Sequence, residues 1–256
     1  MVAGAAEGIG AAFCEEIARK GMNVIMVDVK SDEMASLARR LEKDHKVQVL
    51  TVVLDLAAEN AEKKCMEAIE GLDCRLLVYN AAYSRVKPFL SANRDELDLY
   101  INVNARTPLH LVYSFSRHLI SKKLPGGILL MSSLAGLWGT RLVATYSGTK
   151  AFNLLLAEAL SFELKPYDID ITACIAGATA TPGYLGTNPA RGLCGPNVMK
   201  PAKVAVLAIE NLGKKNVIIA GTGNRISYFL LTRILPRSTS AKMINRVMAR
   251  TYRDLR

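Results

Sequence analysis

The sequence predicts a single doubly wound α/β domain, a parallel sheet with helices on both faces, and three observations lead there. Short β-rich apolar runs alternate with helical-period segments from the N-terminus to about residue 220. The runs are continuously apolar, as strands covered on both faces require. The chain has 256 residues, half of them hydrophobic and only 22% charged, which suits one large core and excludes a disordered chain.

In chain order, residues 1–3 form a first strand cut short by Gly4. Either this strand is a stub or the sequence is a shortened form of a longer gene product. In both cases the sheet centre is expected to be weaker than with the usual five or so residues. Strands follow over 24–27, 47–54, 76–79, 128–131, 169–175 and 217–219, each run dense in Val, Ile and Leu. Amphipathic periodicity places helices over 11–20, 32–43, 105–122 and 145–165. Pro236 divides the segment after residue 224 into two helices. No repeat or linker is visible, so 1–256 is read as one domain, a body of 1–224 with a C-terminal helical extension over 225–256.

Composition removes several function classes. The five cysteines are scattered without a C-x-x-C pair and the three histidines lie apart from most of them. No disulfide framework and no metal site is expected, and a reducing cytoplasm is the implied location. The cysteines read as buried bystanders, His110 and His118 as packing or solvated residues, and His45 as a solvated turn residue. Neither a signal peptide nor a run of about 20 apolar residues is present. The formal charge of +10 is concentrated at the end: from Arg225 to Arg256 eight basic residues stand against Asp254 alone. No nucleic-acid-binding motif accompanies it, so no nucleic-acid partner is expected.

Two constellations carry chemistry. Gly4-Ala5-Ala6-Glu7-Gly8-Ile9-Gly10 opens a helix directly after the first strand. Glycines there let the backbone approach a pyrophosphate, whose charge meets the helix N-terminus. Asp28 ends the second strand 18 residues after Gly10. A carboxylate in that place accepts ribose hydroxyls and repels an added phosphate, which predicts a Rossmann-like site for NAD rather than NADP. Glu7 adds negative charge where a phosphate binder would carry Lys or Arg. In Tyr146-Ser147-Gly148-Thr149-Lys150 the Tyr and Lys stand four apart, on one helix face. A nearby ammonium favours phenolate, so the Tyr146 pKa is expected below its usual value of about 10.

These residues resemble the short-chain dehydrogenase/reductase family. Ser133, in Met131-Ser132-Ser133, precedes Tyr146 by 13 residues, the family's catalytic-serine spacing. Asn104 matches its catalytic asparagine, Asp55 with Leu56 its adenine contact, and Tyr79-Asn80-Ala81-Ala82 its N-N-A-G turn. Gly177, Thr179 and Thr181 fall in a segment similar to its P-G-x-x-x-T. Departures occur at Ala3, Tyr79, Ala82 and Ala176, all in turns. The resemblance, over about residues 1–222, implies an oxidoreductase that interconverts a secondary alcohol and a ketone. Tyr146 would transfer the proton, Ser133 hold the substrate oxygen, Lys150 depress the Tyr146 pKa and bind ribose, and Asn104 position a relay water. It also implies a homodimer or homotetramer packed through the helices holding Asn104 and Tyr146.

The segment from Pro182 to Pro196 is rich in Gly and Pro and reads as a substrate lid. Its Tyr184, Leu185, Leu193 and nearby Met199, with Arg191 as its charge, favour a lipophilic alcohol or ketone, steroid-like or acyl-chain. The tail is loosely similar to bacterial hydroxysteroid dehydrogenases and 3-ketoacyl reductases. As a basic amphipathic segment it has two readings, a cover for the pocket or a subunit interface, or peripheral contact of 225–256 with an anionic membrane. A second reading of the whole chain is a nucleotide-sensing or membrane-associated binding protein on the same fold.

Overall fold

In a computed structural model that describes residues 1–189 and 198–253, seven parallel strands form one sheet in the order β3-β2-β1-β4-β5-β6-β7. The strands are β1 (Val2–Ala3), β2 (Val24–Asp28), β3 (Val49–Val53), β4 (Leu76–Tyr79), β5 (Gly126–Ser133), β6 (Ile169–Ala176) and β7 (Val217–Ile219). Helices α1 (Gly8–Arg19), α2 (Ser31–His45), α3 (Ala61–Glu67), α4 (Arg94–Ile101), α5 (Thr107–Ser121) and α6 (Ala144–Glu163) connect the first six. The short α7 (Pro182–Leu185) and α8 (Pro201–Asn211) follow β6, and α9 (Thr222–Phe229) and α10 (Arg237–Thr251) form the tail. Helices α3, α4 and α8 are additions to the sequence reading. Their apolar periodicity is brief, and the first two are held by packing more than by propensity.

The stub strand sits at the sheet centre. Val2 pairs with Met26 and Val78, Ala3 with Val27 and Tyr79, and both residues are fully buried. Pairing on both sides gives two residues the neighbours that a longer edge strand would lack. Two cores result, one on each face. Phe13, Ile17, Met26 and Met34 lie in one, Leu77, Phe115, Leu119 and Ile128 in the other. Alternate residues of the strands supply opposite faces, which is why the runs carry no polar alternation. The strand order reverses between β1 and β4, and a crevice opens at the carboxyl ends of these strands, where open α/β sheets bind ligands.

The described cysteines Cys14, Cys65, Cys74 and Cys174 are buried free thiols, and burial pushes Cys14, Cys65 and Cys174 up to about 12; Cys194 lies outside the described residues. His45 departs from the solvated turn expected of it. It ends α2, and its Nε2 lies 2.7 Å from Glu15 Oε1 on α1. The tail breaks at Pro236, as the sequence requires. Its second helix docks on the body: Asn245 accepts the Arg141 N–H at 2.8 Å and donates to the Gly139 carbonyl at 2.9 Å. The buried Tyr252 meets Thr187 Oγ1 at 2.8 Å.

Candidate active site

A cleft of about 580 Å³ opens over the switch point of the sheet. Gly4, Glu7, Gly8 and Ile9 form one wall, and Asp28, Asp55 and Leu56 another. Asn80, Ala81 and Thr181 close it. These ten sequence-predicted residues come from five separate stretches of chain. The turn needs its glycines for stated reasons. Gly8 has φ +60°, and a Cβ there would press within 2.9 Å of Thr181. A Cβ on Gly10 would stand 1.7 Å from the Gly4 carbonyl oxygen, an impossible contact. Asn80 donates to the same carbonyl at 2.8 Å, locking the turn to β4.

Helix α1 begins here with no side-chain cap and no acidic residue in its first turn. Its leading N–H groups therefore remain available to an anion. Asp28 Oδ2 accepts the Ala6 N–H at 3.0 Å and its Oδ1 the Lys30 N–H at 3.2 Å. It braces the turn while each oxygen keeps further capacity to accept, on the wall of the cleft. Glu7 does not add the uncompensated charge expected of it, because Lys30 Nζ pairs with its Oε2 at 2.7 Å. Lys30, also on the cleft wall, was missed because it follows the strand end and matches no motif. Asp55 accepts the Ala57 N–H at 2.8 Å.

Five expected cofactor residues do not line this cleft: Gly10, Gly177, Thr179, Tyr146 and Lys150. Gly10 lies beneath the turn. Gly177 lies against the Asn224 side chain, and its carbonyl accepts from the buried Thr179 hydroxyl at 3.0 Å. Thr179 forms a bridge with Met199, which packs against Gly221 and Asn224 rather than in the lid. The lid positions Arg191, Leu193 and Gly195-Pro196 lie outside the described residues. Thr181 caps α7 by accepting the Tyr184 N–H at 3.1 Å.

Ser133, at the end of β5, and Tyr146 and Lys150, one turn apart on α6, come together. The Lys150 Nζ is 5.7 Å from the Tyr146 ring centroid, and Ser133 is near enough to favour the Tyr146 phenolate. Lys150 is fully buried; its Nζ donates to the Met131 carbonyl at 2.9 Å, and burial lowers its pKa to about 8. Neighbouring Ser132 donates to the Lys150 carbonyl at 2.7 Å, tying β5 to α6. The expected depression of the Tyr146 pKa is not found. Burial raises it, the Ser133 hydrogen bond lowers it in part, and Tyr100 adds to the rise. Burying both groups penalises phenolate and ammonium alike.

Asn104 is fully buried in a π-helical turn, Asn102–Arg106, ahead of α5. Both polar atoms of its side chain are hydrogen-bonded within the protein, which bears on the relay-water role. Oδ1 accepts the Tyr83 N–H at 2.7 Å, and Nδ2 donates to the Tyr83 carbonyl at 2.9 Å and to Thr149 Oγ1 at 3.1 Å. The Asn104 backbone carbonyl accepts from Asn153 Nδ2 at 3.0 Å. The π-helical turn, a frequent mark of functional sites, had no sequence signal. Nor had Tyr83, which lines the cleft and stacks edge-on against Tyr100 with centroids 4.8 Å apart. None of Ser133, Tyr146 and Lys150 lines this cleft.

Comparison with known proteins fits this geometry. The short chain dehydrogenase family model matches residues 1–190. The chain is 30% identical over 231 residues to a 7beta-hydroxysteroid dehydrogenase of Mediterraneibacter gnavus, covering 89% of this chain and 87% of that one. It is 34% identical over 175 residues to a very-long-chain 3-oxoacyl-CoA reductase of Aspergillus fumigatus, covering 67% of this chain and 50% of that one. A solved structure from work on 7beta-hydroxysteroid dehydrogenase stereoselectivity superposes with a TM-score of 0.86 at 27% identity, covering 95% of each chain.

Proposed function

The chain belongs to the short-chain dehydrogenase family, whose members are oxidoreductases of alcohol and ketone pairs that use a nicotinamide cofactor, and from that premise we propose that it interconverts a lipophilic secondary alcohol and its ketone with NAD(H). One observation carries the reading: the buried Lys150 ammonium stands 5.7 Å from the Tyr146 ring centroid, with Ser133 near enough to favour the phenolate. Raised by burial, the phenol is protonated at neutral pH and suited to donate to a carbonyl oxygen. Ser133 Oγ accepts the Ala135 N–H at 3.2 Å, which leaves its own O–H to donate to that oxygen. Lys150, at about 8, is still cationic at pH 7 and offsets the charge left on the phenolate. Asn104 contributes through its carbonyl, toward which a relay water could donate, while its side chain positions the Tyr83 backbone.

The residues fit a dinucleotide. The glycine turn and the uncapped α1 would hold its diphosphate, Asp28 the adenosine ribose, Asp55 and Leu56 the adenine end, and Lys150 the nicotinamide ribose. Bound there, the nicotinamide supplies or accepts the hydride at the carbinol carbon. The Asp28 carboxylate, and the ion pair that keeps Lys30 on Glu7, support NAD over NADP. Asp28→Ala is expected to narrow the NADH preference by about tenfold, the effect of roughly one close charge. Titrating both cofactors checks this, and equal affinities in the unmutated protein would contradict the assignment.

NADH oxidation in the presence of a panel of lipophilic ketones tests the function, with turnover of one or more expected. Tight NADH binding without oxidation across the panel would instead support the nucleotide-sensing or membrane-associated binding protein. The assembly assigned here is a homodimer or homotetramer through α5 and α6, whose outer faces carry Tyr113, Leu155 and Phe162, each 60–72% exposed. The outer face of the tail, with Ile226, Phe229 and Ile234 exposed among Arg225, Arg233 and Arg237, suits a peripheral contact with anionic lipid. No helix of the described residues is long and apolar enough to cross a membrane. Sedimentation checks both assignments. A dimer or tetramer is expected without lipid, and salt-sensitive pelleting with phosphatidylserine vesicles; a monomer or indifference to vesicles would remove the corresponding one.

A further inference from the structure

Three carboxylates line the cofactor cleft, those of Glu7, Asp28 and Asp55, and among the described residues on its walls Lys30 is the sole cation. That cation is already engaged. Its Nζ stands 2.7 Å from Glu7 Oε2, and this hydrogen bond raises the Lys30 pKa above its ordinary value. Glu7 occupies the N-cap of α1, yet its side chain bonds none of the helix amides. It reaches Lys30, at the N-cap of α2, instead. The pair therefore crosses from the glycine turn to the end of β2, beside the carboxylate proposed to hold the adenosine ribose.

Three contacts close a ring at this end of the cleft. The Ala6 N–H donates to Asp28 Oδ2 at 3.0 Å, the Lys30 N–H donates to Asp28 Oδ1 at 3.2 Å, and the Lys30 and Glu7 side chains complete it. The first two hold backbone to Asp28 and fix its carboxylate. The third joins two side chains that are 42% and 38% exposed. An exposed ion pair is weak, so this contact opens without disturbing the other two. Opened, it leaves an ammonium on a flexible stem rooted beside Asp28.

We propose that Glu7 is a cofactor-specificity residue that acts through Lys30. Paired, it withholds from the ribose end of the cleft the cation able to receive the extra phosphate that NADPH carries on its adenosine ribose. That phosphate then meets carboxylates alone. Unpaired, Lys30 is a phosphate receptor next to Asp28, and discrimination between the two nucleotides weakens. The inference deepens the reading of the cleft as a dinucleotide site and rests on it. Asp28 repels the added phosphate by its own charge, whereas Glu7 removes the counter-charge.

The test reads binding instead of turnover. NADH and NADPH are titrated by nucleotide fluorescence into the unmutated protein, into Glu7→Gln, and into the double variant that adds Lys30→Met. The NADPH-to-NADH affinity ratio is expected to rise about fivefold in Glu7→Gln, the effect of freeing one partly exposed charge. In the double variant it should return to the unmutated value. Adenosine 2′,5′-bisphosphate against AMP, followed by calorimetry, should repeat both changes, because these fragments lack the diphosphate and the nicotinamide. An unchanged ratio in Glu7→Gln would overturn the inference. So would a rise that survives Lys30→Met, since Glu7 would then act by its own charge alone. Failure of NADH and NADPH alike to bind the unmutated protein would instead overturn the dinucleotide reading beneath it.

Discussion

Tyr146→Phe is expected to lower ketone reduction by about 10²- to 10⁴-fold, the range that a positioned proton donor supplies, while NADH affinity changes by no more than about twofold. The substitution removes one oxygen and keeps the ring whose centroid lies 5.7 Å from the Lys150 Nζ. Packing of α6 on β5 is untouched, because Ser132 and the Lys150 carbonyl supply that contact. The loss therefore reports proton transfer and not folding. The pH profile adds a second readout. With Tyr146 raised and Lys150 at about 8, reduction by the unmutated enzyme should decline as pH rises through about 8, when the ammonium that supports the departing proton is lost. The residual rate of the Phe variant should lack that decline. Substantial turnover with an unchanged pH profile would remove Tyr146 from the mechanism.

Lys150→Met should have the opposite effect on stability from the one it has on activity. Turnover should fall by a comparable 10²-fold or more, by about the effect of deleting a positioned charge. Stability at pH 7 should nevertheless rise. The folded protein holds Lys150 at about 8 against an ordinary value of 10.5. The unfolded chain thus binds this proton more readily, and the cost to folding is fully present below pH 8. That shift corresponds to about 3 kcal/mol, less about 1 kcal/mol for the Met131 carbonyl left without its donor. A net gain of about 2 kcal/mol should raise the melting temperature by roughly 4–8 °C. The gain should shrink as pH rises from 8 toward 10.5, where lysine loses its proton in both states. A variant that melts at or below the unmutated protein at pH 7 would show that the ammonium is compensated by contacts other than Met131. Such a trade of stability for function is common at active sites.

Most strands were legible because their signal is local. Residues 24–27 and 76–79 are apolar without interruption, and the structure places β2 and β4 there within a residue. The glycine turn was legible for the same reason. A Cβ at Gly8 or Gly10 would clash with Thr181 or with the Gly4 carbonyl, so both positions call for glycine. Helices α3 and α4 were not, since seven- and eight-residue segments carry too few apolar positions to define a period. The pairing of His45 with Glu15 was equally hidden, because it depends on how α1 and α2 pack.

The sequence by itself determined the sheet, the phosphate-binding turn and the presence of Ser133, Tyr146 and Lys150 at family spacing, because strand burial, glycine geometry and helical periodicity act over a few residues. Only the tertiary structure decided the charge states and partners. It raised Tyr146 instead of lowering it, gave the Asn104 side chain to Tyr83, paired Glu7 with Lys30, docked Asn245 on Gly139 and Arg141, and brought Tyr252 onto Thr187 of the lid. Desolvation and hydrogen-bond competition depend on which distant segments enclose a group, and spacing along the chain does not encode that enclosure.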